Sequence, residues 1–211
     1  MMSSADSRLA ELLSSRLCHD LVGPISAVGN GAELLQEMSP MDAEAVDLIA
    51  SSAGQAASKL AFFRLAYGAA GERISTVEDF RPVIDDWLKE ERLSLQWPET
   101  EGHHLAGYNG KVLMNVLGLA RECMPRGGAL DLSVLPEDSG VVLEVQGNGA
   151  AVELREDISQ GLDEAIMVDE LTPRNVHAYF TRQLIYREGG RLELDANASQ
   201  GGLKIRVVLP A

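Results

Sequence analysis

Four histidines stand at positions 19, 103, 104 and 177, and His19 has the neighbours that could support chemistry. It lies in the run RLCHDLVGPISAVGN, directly before Asp20. A carboxylate beside an imidazole can accept one ring N–H, fix the tautomer and raise the basicity of the other nitrogen. That is what a nucleophile attacking an acyl phosphate needs. In a helix, the two steps from Leu17 turn the chain by about 200°, so His19 points away from the apolar stripe of Leu13, Leu17 and Leu21. Its helical neighbours are Ser15, Arg16, Val22 and Gly23. Gly23, one turn on, leaves room for another protein to reach the ring. Gly23 and Pro24 inside a helix cost stability, and a site explains that cost more easily than structure does. A surface histidine beside a surface aspartate, with Pro24 as a tolerated kink, satisfies the same pattern. Metal binding is disfavoured, because no second ligand stands three or four residues away. His103 and His104, in EGHHLAG, read as surface residues, and His177 as a packing or surface residue.

The elements that must position His19 follow from periodicity. Leu9, Leu13, Leu17, Leu21, Ile25 or Val28, Ala32 and Leu35 lay an apolar stripe along a helix from about Ser7 to Glu37. Ser39-Pro40 breaks it, and Asp42 can cap a second helix. The stripe of that second helix runs through Val46, Ile49, Ala53, Ala56 or Ala57, Leu60, Phe63 and Tyr67, ending near Gly68 and Gly71. A loop this short makes the two helices antiparallel. Such a hairpin has no second layer, so it should dimerise into a four-helix bundle or lean on the rest of the chain. The small residues of IASSAGQAASKLA suit close packing against a partner, or simply a slim bundle.

Beyond Gly71 the pattern changes. Val77 to Leu88 reads as a short helix, RLSLQW as a strand, and Gly107 or Asn109 begins a helix running to Met124. ALDLSVLP and VVLEVQG form a β-hairpin around Glu137 to Gly140. Val152 to Leu162 is a short helix, and Pro173 to Glu188 a longer one stopped by Gly189-Gly190. RLELDA and LKIRVVLP close the chain as strands around Asn197 to Gly202. Helices interleaved with antiparallel strands make a two-layer α/β sandwich.

Composition narrows the partners. The 211 residues carry 18 Lys+Arg against 32 Asp+Glu, a net charge of -14, which argues against nucleic acid and anionic membrane as main partners. The 45% apolar content excludes wholesale disorder. Cys18 and Cys123 make neither a disulfide framework nor a zinc knuckle. MMSSADSRLAELL lacks the basic flank and apolar run of a signal peptide, and no stretch reaches a membrane span, so a cytoplasmic protein is expected. Trp87, Trp97 and the phenylalanines are too scattered for a base-stacking platform and read as core.

SRLCHDLVGPISAVGNGAELL resembles the phospho-accepting helix of dimeric histidine kinases, where an acidic residue follows the histidine and a proline stands five positions on. It is closer still to the histidine phosphotransferases of the alphaproteobacterial cell-cycle phosphorelay, and the similarity covers essentially the whole chain. The resemblance implies an α+β fold. Residues 1–71 would be the antiparallel helical hairpin of a dimeric four-helix bundle, and residues 72–211 an α/β sandwich resembling the histidine-kinase ATPase domain, degenerate in its site. It further implies that His19 carries the phosphoryl group, with Asp20 its acidic neighbour. Arg16, Lys59 and Arg64 are candidates for screening phosphate charge, and Val22 and Gly23 for receiver docking.

Three landmarks of the kinase ATPase pattern are altered. Asn115 matches its first asparagine, but the magnesium-binding one falls on Leu119. The adenine-reading aspartate falls on Gly147 and the second of two glycines on Ala151, while Gly149 alone survives. Asn175 and His177 stand where phosphate-cradling glycines belong. No cofactor is therefore expected on this chain, and Mg is expected on the partner receiver domain. The implied partners are a second copy of the chain, the receiver domain of a hybrid histidine kinase, and downstream response regulators, one a transcription factor and one controlling proteolysis. The competing readings are an ATP-using kinase, against which Leu119, Gly147 and Ala151 count, and a non-catalytic dimeric adaptor or kinase inhibitor.

Overall fold

A long amphipathic helix of Leu, Ala and Val at helical spacing opens the chain. In the computed structural model, which describes residues 4–37, 43–69, 77–98, 108–137, 140–197 and 202–210, it is α1, Ser4–Glu37. Its 34 residues span about 51 Å. It runs through Pro24, although that residue supplies no backbone N–H. The second helix, α2, is Ala43–Ala66. The two approach closely at Gly31, where a Cβ would lie 2.7 Å from Ile49 Cγ1 and 3.3 Å from the Ala45 carbonyl. The helix break at Ser39-Pro40, the Asp42 cap, Gly71, the boundary at 71/72, His103, His104 and the turns at 138–139 and 198–201 lie outside the described residues.

The remainder is a mixed α/β region. In chain order it contains α3 (Val77–Glu90), β1 (Leu93–Gln96), α4 (Tyr108–Cys123), β2 (Gly128–Glu137), β3 (Gly140–Asn148), α5 (Glu156–Leu162), a 3-10 turn at Val168–Glu170, α6 (Val176–Arg187), β4 (Arg191–Asn197) and β5 (Gly202–Pro210). The sheet order is β1-β2-β3-β5-β4. Three pairings are antiparallel, but β1 pairs parallel to β2, correcting the expectation of antiparallel strands throughout. The reason is topological: α4 is the crossover between them, and such a connection returns the chain in the same direction. The two late helices are also shorter than their patterns suggested, because α5 begins at Glu156 and α6 at Val176.

One face of the sheet is covered by helices. Leu130, Leu132, Leu143, Val145, Leu203, Ile205 and Val207 are buried there, while Asp131, Ser133, Gln146 and Lys204 alternate toward solvent. Buried almost all round, α4 lies between the sheet and the other helices. The hairpin does lean on this region. The last turns of α2 place Phe62, Phe63, Leu65 and Ala66 in the same core as Trp87 and Leu117. Farther up α1, Leu9, Leu12 and Leu13 pack with Ile166, Val168, Leu171, Val176 and Tyr179. Trp87 and Trp97 are buried, as expected of core residues.

Phe62, 1% exposed, stacks on Trp87 with ring centroids 3.8 Å apart and joins the hairpin to α3. Phe62→Ala should cost about 3–5 kcal/mol in urea unfolding, with helix and sheet signals lost in one transition.

Candidate functional site

Helical phase decides what each residue around His19 can do. Arg16, Leu17 and Asp20 turn toward the α/β region, whereas Cys18, Val22 and Gly23 are exposed. The His19 side chain is 85% exposed, and its Nδ1 lies 3.3 Å from Asp20 Oδ1. A Cβ built on Gly23 would have nothing within 4 Å. The space beside the ring is therefore open to another molecule. The other Asp20 oxygen, Oδ2, lies 3.8 Å from Arg16 Nε.

Arg16 itself is turned inward. Its Nη2 donates to Glu122 Oε1 at 2.5 Å, across 106 positions of sequence. The same carboxylate oxygen lies 2.6 Å from His177 Nδ1. Burial would raise the Glu122 pKa, but His177 and Arg16 outweigh it and hold the carboxyl below its ordinary range. An ionised carboxylate only accepts, so His177 Nδ1 carries the hydrogen. Burial lowers the Arg16 pKa, but Glu122, Tyr67 and Asp20 together outweigh it and raise it. Tyr67, at the end of α2, shares this junction: burial raises its pKa, and its ring meets His177 edge-on at 5.9 Å. Gly118, one turn before Glu122, makes room for that imidazole, because a Cβ there would lie 2.7 Å from His177 Cε1.

A second ionic cluster stands nearby. Glu91 binds Lys59 Nζ at 3.1 Å and Arg121 Nε at 2.6 Å. Despite partial burial, these two cations keep its pKa low. Of the three candidate cations, Arg16 and Lys59 are thus engaged with carboxylates of the α/β region, and Arg64 is exposed. Sequence reasoning missed Glu122, Glu91, Gly118 and Tyr67 as parts of this junction, and left His177 between packing and surface. His177 is in fact buried. The signal available for Glu122 was a carboxylate beside Arg121 near the end of the largely apolar run VLMNVLGLAREC.

Arg16, Asp20, Lys59, Glu91, Arg121, Glu122 and His177 line a cavity of about 70 Å³, well below the roughly 300–1,000 Å³ of ligand pockets. The kinase-pattern positions do not fit a nucleotide either. Asn115 is buried and donates from Nδ2 to the Ala66 and Lys111 carbonyls, both at 2.8 Å. Leu119 is fully buried. At Gly147 a Cβ would lie 2.6 Å from Met124 Sδ. Asn175 accepts the Thr172 N–H at 2.7 Å. Leu119 and Gly147 are thus taken up by packing and Asn175 by a local hydrogen bond, while Asn115 is held through its Nδ2. Among the described residues no group of His, Cys, Asp and Glu could hold a metal ion, and no helix is long and apolar enough to cross a membrane.

A sequence profile of the histidine phosphotransferase C-terminal domain matches residues 77–200. Protein phosphotransferase ChpT of Brucella abortus (strain 2308) is 30% identical over 194 residues, 90% of this chain and 91% of that protein. The chain belongs to the histidine phosphotransferase family. It passes a phosphoryl group between phosphorelay components by way of a histidine. The solved structure of a bacterial phosphotransferase superposes with a TM-score of 0.83, at 29% identity and over 98% of both chains. Acinetobacter baumannii histidine kinase AdeS gives 0.52 at 12% identity, over 91% of this chain and 97% of that one, a likeness of fold alone. The phosphotransferase thus has a helical N-terminal region and a mixed α/β C-terminal region of histidine-kinase type.

The ionic junction should make the stability of the phosphotransferase acid-sensitive. Glu122 and Glu91 have folded-state pKa values below 4.5, so their stabilisation is fully present above that value and is lost as pH falls through the folded-state values. The melting temperature should therefore decline below about pH 4.5. In Glu91→Gln this acid limb should be shallower than in wild type.

Proposed function

We propose that His19 is the phosphoacceptor of this phosphotransferase and that Asp20 orients its ring. One observation carries the reading: a largely exposed imidazole whose Nδ1 faces a carboxylate at 3.3 Å, leaving Nε2 free. Asp20 accepts Nδ1–H, so the lone pair sits on Nε2. Nε2 attacks the phosphorus of an aspartyl phosphate on a receiver domain. The N–P bond forms as the P–O bond to the receiver aspartate breaks, and that carboxylate leaves with the electron pair. The resulting positive charge on the ring is held against Asp20. Transfer to a second receiver reverses these steps. Magnesium on the receiver would neutralise the phosphoryl oxygens, and this chain offers mainly an accessible, oriented nitrogen.

The open space at Gly23 and the 58% exposed Val22 suit docking of a receiver beside the ring. A hybrid histidine kinase as donor, response regulators of a cell-cycle relay as acceptors, and a cytoplasmic location are part of the same reading. So is a homodimer through the hairpin. Val46, Ala50, Ala53, Ala57 and Leu60 form an exposed apolar stripe on α2, away from the α/β region. Pairing two such stripes in a four-helix bundle would remove them from water. The division at 71/72 would then separate the dimerising hairpin from the degenerate ATPase-like domain.

Incubation with a radiolabelled phosphorylated receiver should place acid-labile, alkali-stable label on the wild type, bound at Nε2, and none on His19→Ala. Label on the variant would show that another residue is the acceptor. Ala57→Glu should convert dimer to monomer in sedimentation equilibrium while the fold persists by circular dichroism.

A further inference from the structure

Four polar contacts join the core of the α/β region to His19. His177 Nδ1 donates to Glu122 Oε1 at 2.6 Å, and Arg16 Nη2 donates to that oxygen at 2.5 Å. Arg16 turns its Nε toward Asp20, 3.8 Å from Oδ2, an ion-pair distance rather than a hydrogen bond. Asp20 uses its remaining oxygen, Oδ1, on His19 Nδ1 at 3.3 Å. The two oxygens of Asp20 are thus divided, Oδ2 facing the guanidinium as an ion pair and Oδ1 facing the imidazole, and the charge of Arg16 favours that orientation of the carboxylate.

A guanidinium is a rigid fork, so fixing one edge fixes the direction of the others. Arg16 is held by a carboxylate that is 4% exposed and is itself held by a buried imidazole. Joining the hairpin to the α/β region does not require charge at this point. Phe62 and Phe63 from α2 already join that core, and Leu12 of α1 packs with Leu171 and Val176. A buried ion pair is moreover weak as a source of net stability compared with apolar packing. What apolar side chains could not do is hold the Asp20 oxygens in a set orientation.

We infer that Glu122 is a positioning residue for phosphotransfer: through Arg16 it fixes the Asp20 carboxylate that orients the His19 imidazole. The inference rests on the reading of His19 as the phosphoacceptor. It gives the α/β region a part in the chemistry that is independent of nucleotide. The histidine is borne by one region, while the setting of its ring is determined partly by the other. Orienting partners one step removed from a reactive group typically change rates by roughly 10–100-fold.

The test uses the full chain and phosphoramidate, a small phosphodonor that needs no docking surface, so the rate reports the reactivity of the ring itself. Glu122→Gln should be phosphorylated roughly tenfold more slowly than wild type, and Asp20→Asn should be slowed at least as much. In the double variant Glu122→Gln/Asp20→Asn, the rate should equal that of Asp20→Asn alone, because Glu122 acts only through Asp20. A wild-type rate in Glu122→Gln or in Asp20→Asn would overturn the inference. So would a further loss in the double variant, since an effect on packing would add. Should Glu122→Gln fail to fold, Arg16→Lys replaces it. Lysine keeps the charge but cannot present two fixed edges, and the same slowing is expected, again absent in the Asp20→Asn background. A wild-type rate for Arg16→Lys would likewise overturn the inference. His19→Ala separates the two claims: if it still takes label at the wild-type rate, the acceptor assignment fails, whatever Glu122 does.

Discussion

The carboxylate of Glu122 is buried where α1, α4 and α6 meet, and its charge constrains everything around it. An ionised carboxylate at this depth loses several kcal/mol of hydration. It persists because Arg16 and His177 both donate to one of its oxygens. Removing either partner would strand a buried charge, an outcome that costs about 3–5 kcal/mol. The hairpin is therefore not free to rotate on the α/β region. Holding Arg16 inward sets the phase of α1, and three residues further on that phase brings His19 out to the flank of the junction. Gly118 is small so that the His177 ring can lie against α4, and Tyr67 closes the side at the end of α2.

A kinase-type fold is thus built here around a junction of charged side chains. Positions that the nucleotide pattern would give to polar or glycine residues are filled here by packing and by structural hydrogen bonds. Asn115 Nδ2 donates to the last carbonyl of α2 and so ties the hairpin to α4. Leu119 is core. After β3 the chain returns to α4 through the Glu153 N–H, which donates to the Cys123 carbonyl at 3.0 Å. The sheet and its helices then serve to present Glu122, Glu91 and Arg121 toward the hairpin. Two of the hairpin's basic residues, Arg16 and Lys59, are anchored there, while Arg64 is exposed.

The outer face of the hairpin obeys a different constraint. Gly23, Gly29 and Gly54 have nothing near a would-be Cβ, so none of them is required by packing within the chain. Each costs about 1 kcal/mol of helix propensity relative to alanine. With the alanines of α2 they leave a smooth, slim surface, whereas Gly31, facing Ile49, is required by the approach of α2 itself. Glycines of identical local sequence character thus serve opposite faces, and only the packing of α1 on α2 distinguishes them.

Helical periodicity was legible in the sequence because it is a property of neighbours three and four residues apart. It gave both long helices and the exposure of His19, adjacency gave the contact with Asp20, and alternation of apolar and polar residues gave most strand positions. The resemblance carried by the segment around His19 pointed to the phosphotransferase family. Periodicity does not carry strand direction, and β1 proved parallel to β2 because of the crossover through α4. Nor does it carry charge partners. Arg16 reads as a free cation near the histidine, yet it pairs with a glutamate 106 positions away, which in turn pairs with a histidine 55 positions further on. Local sequence determined which residues could do chemistry and which way their helix would turn them. Tertiary structure alone decided which charges are engaged, because pairing across such separations depends on how the helices dock and on how much water that docking removes.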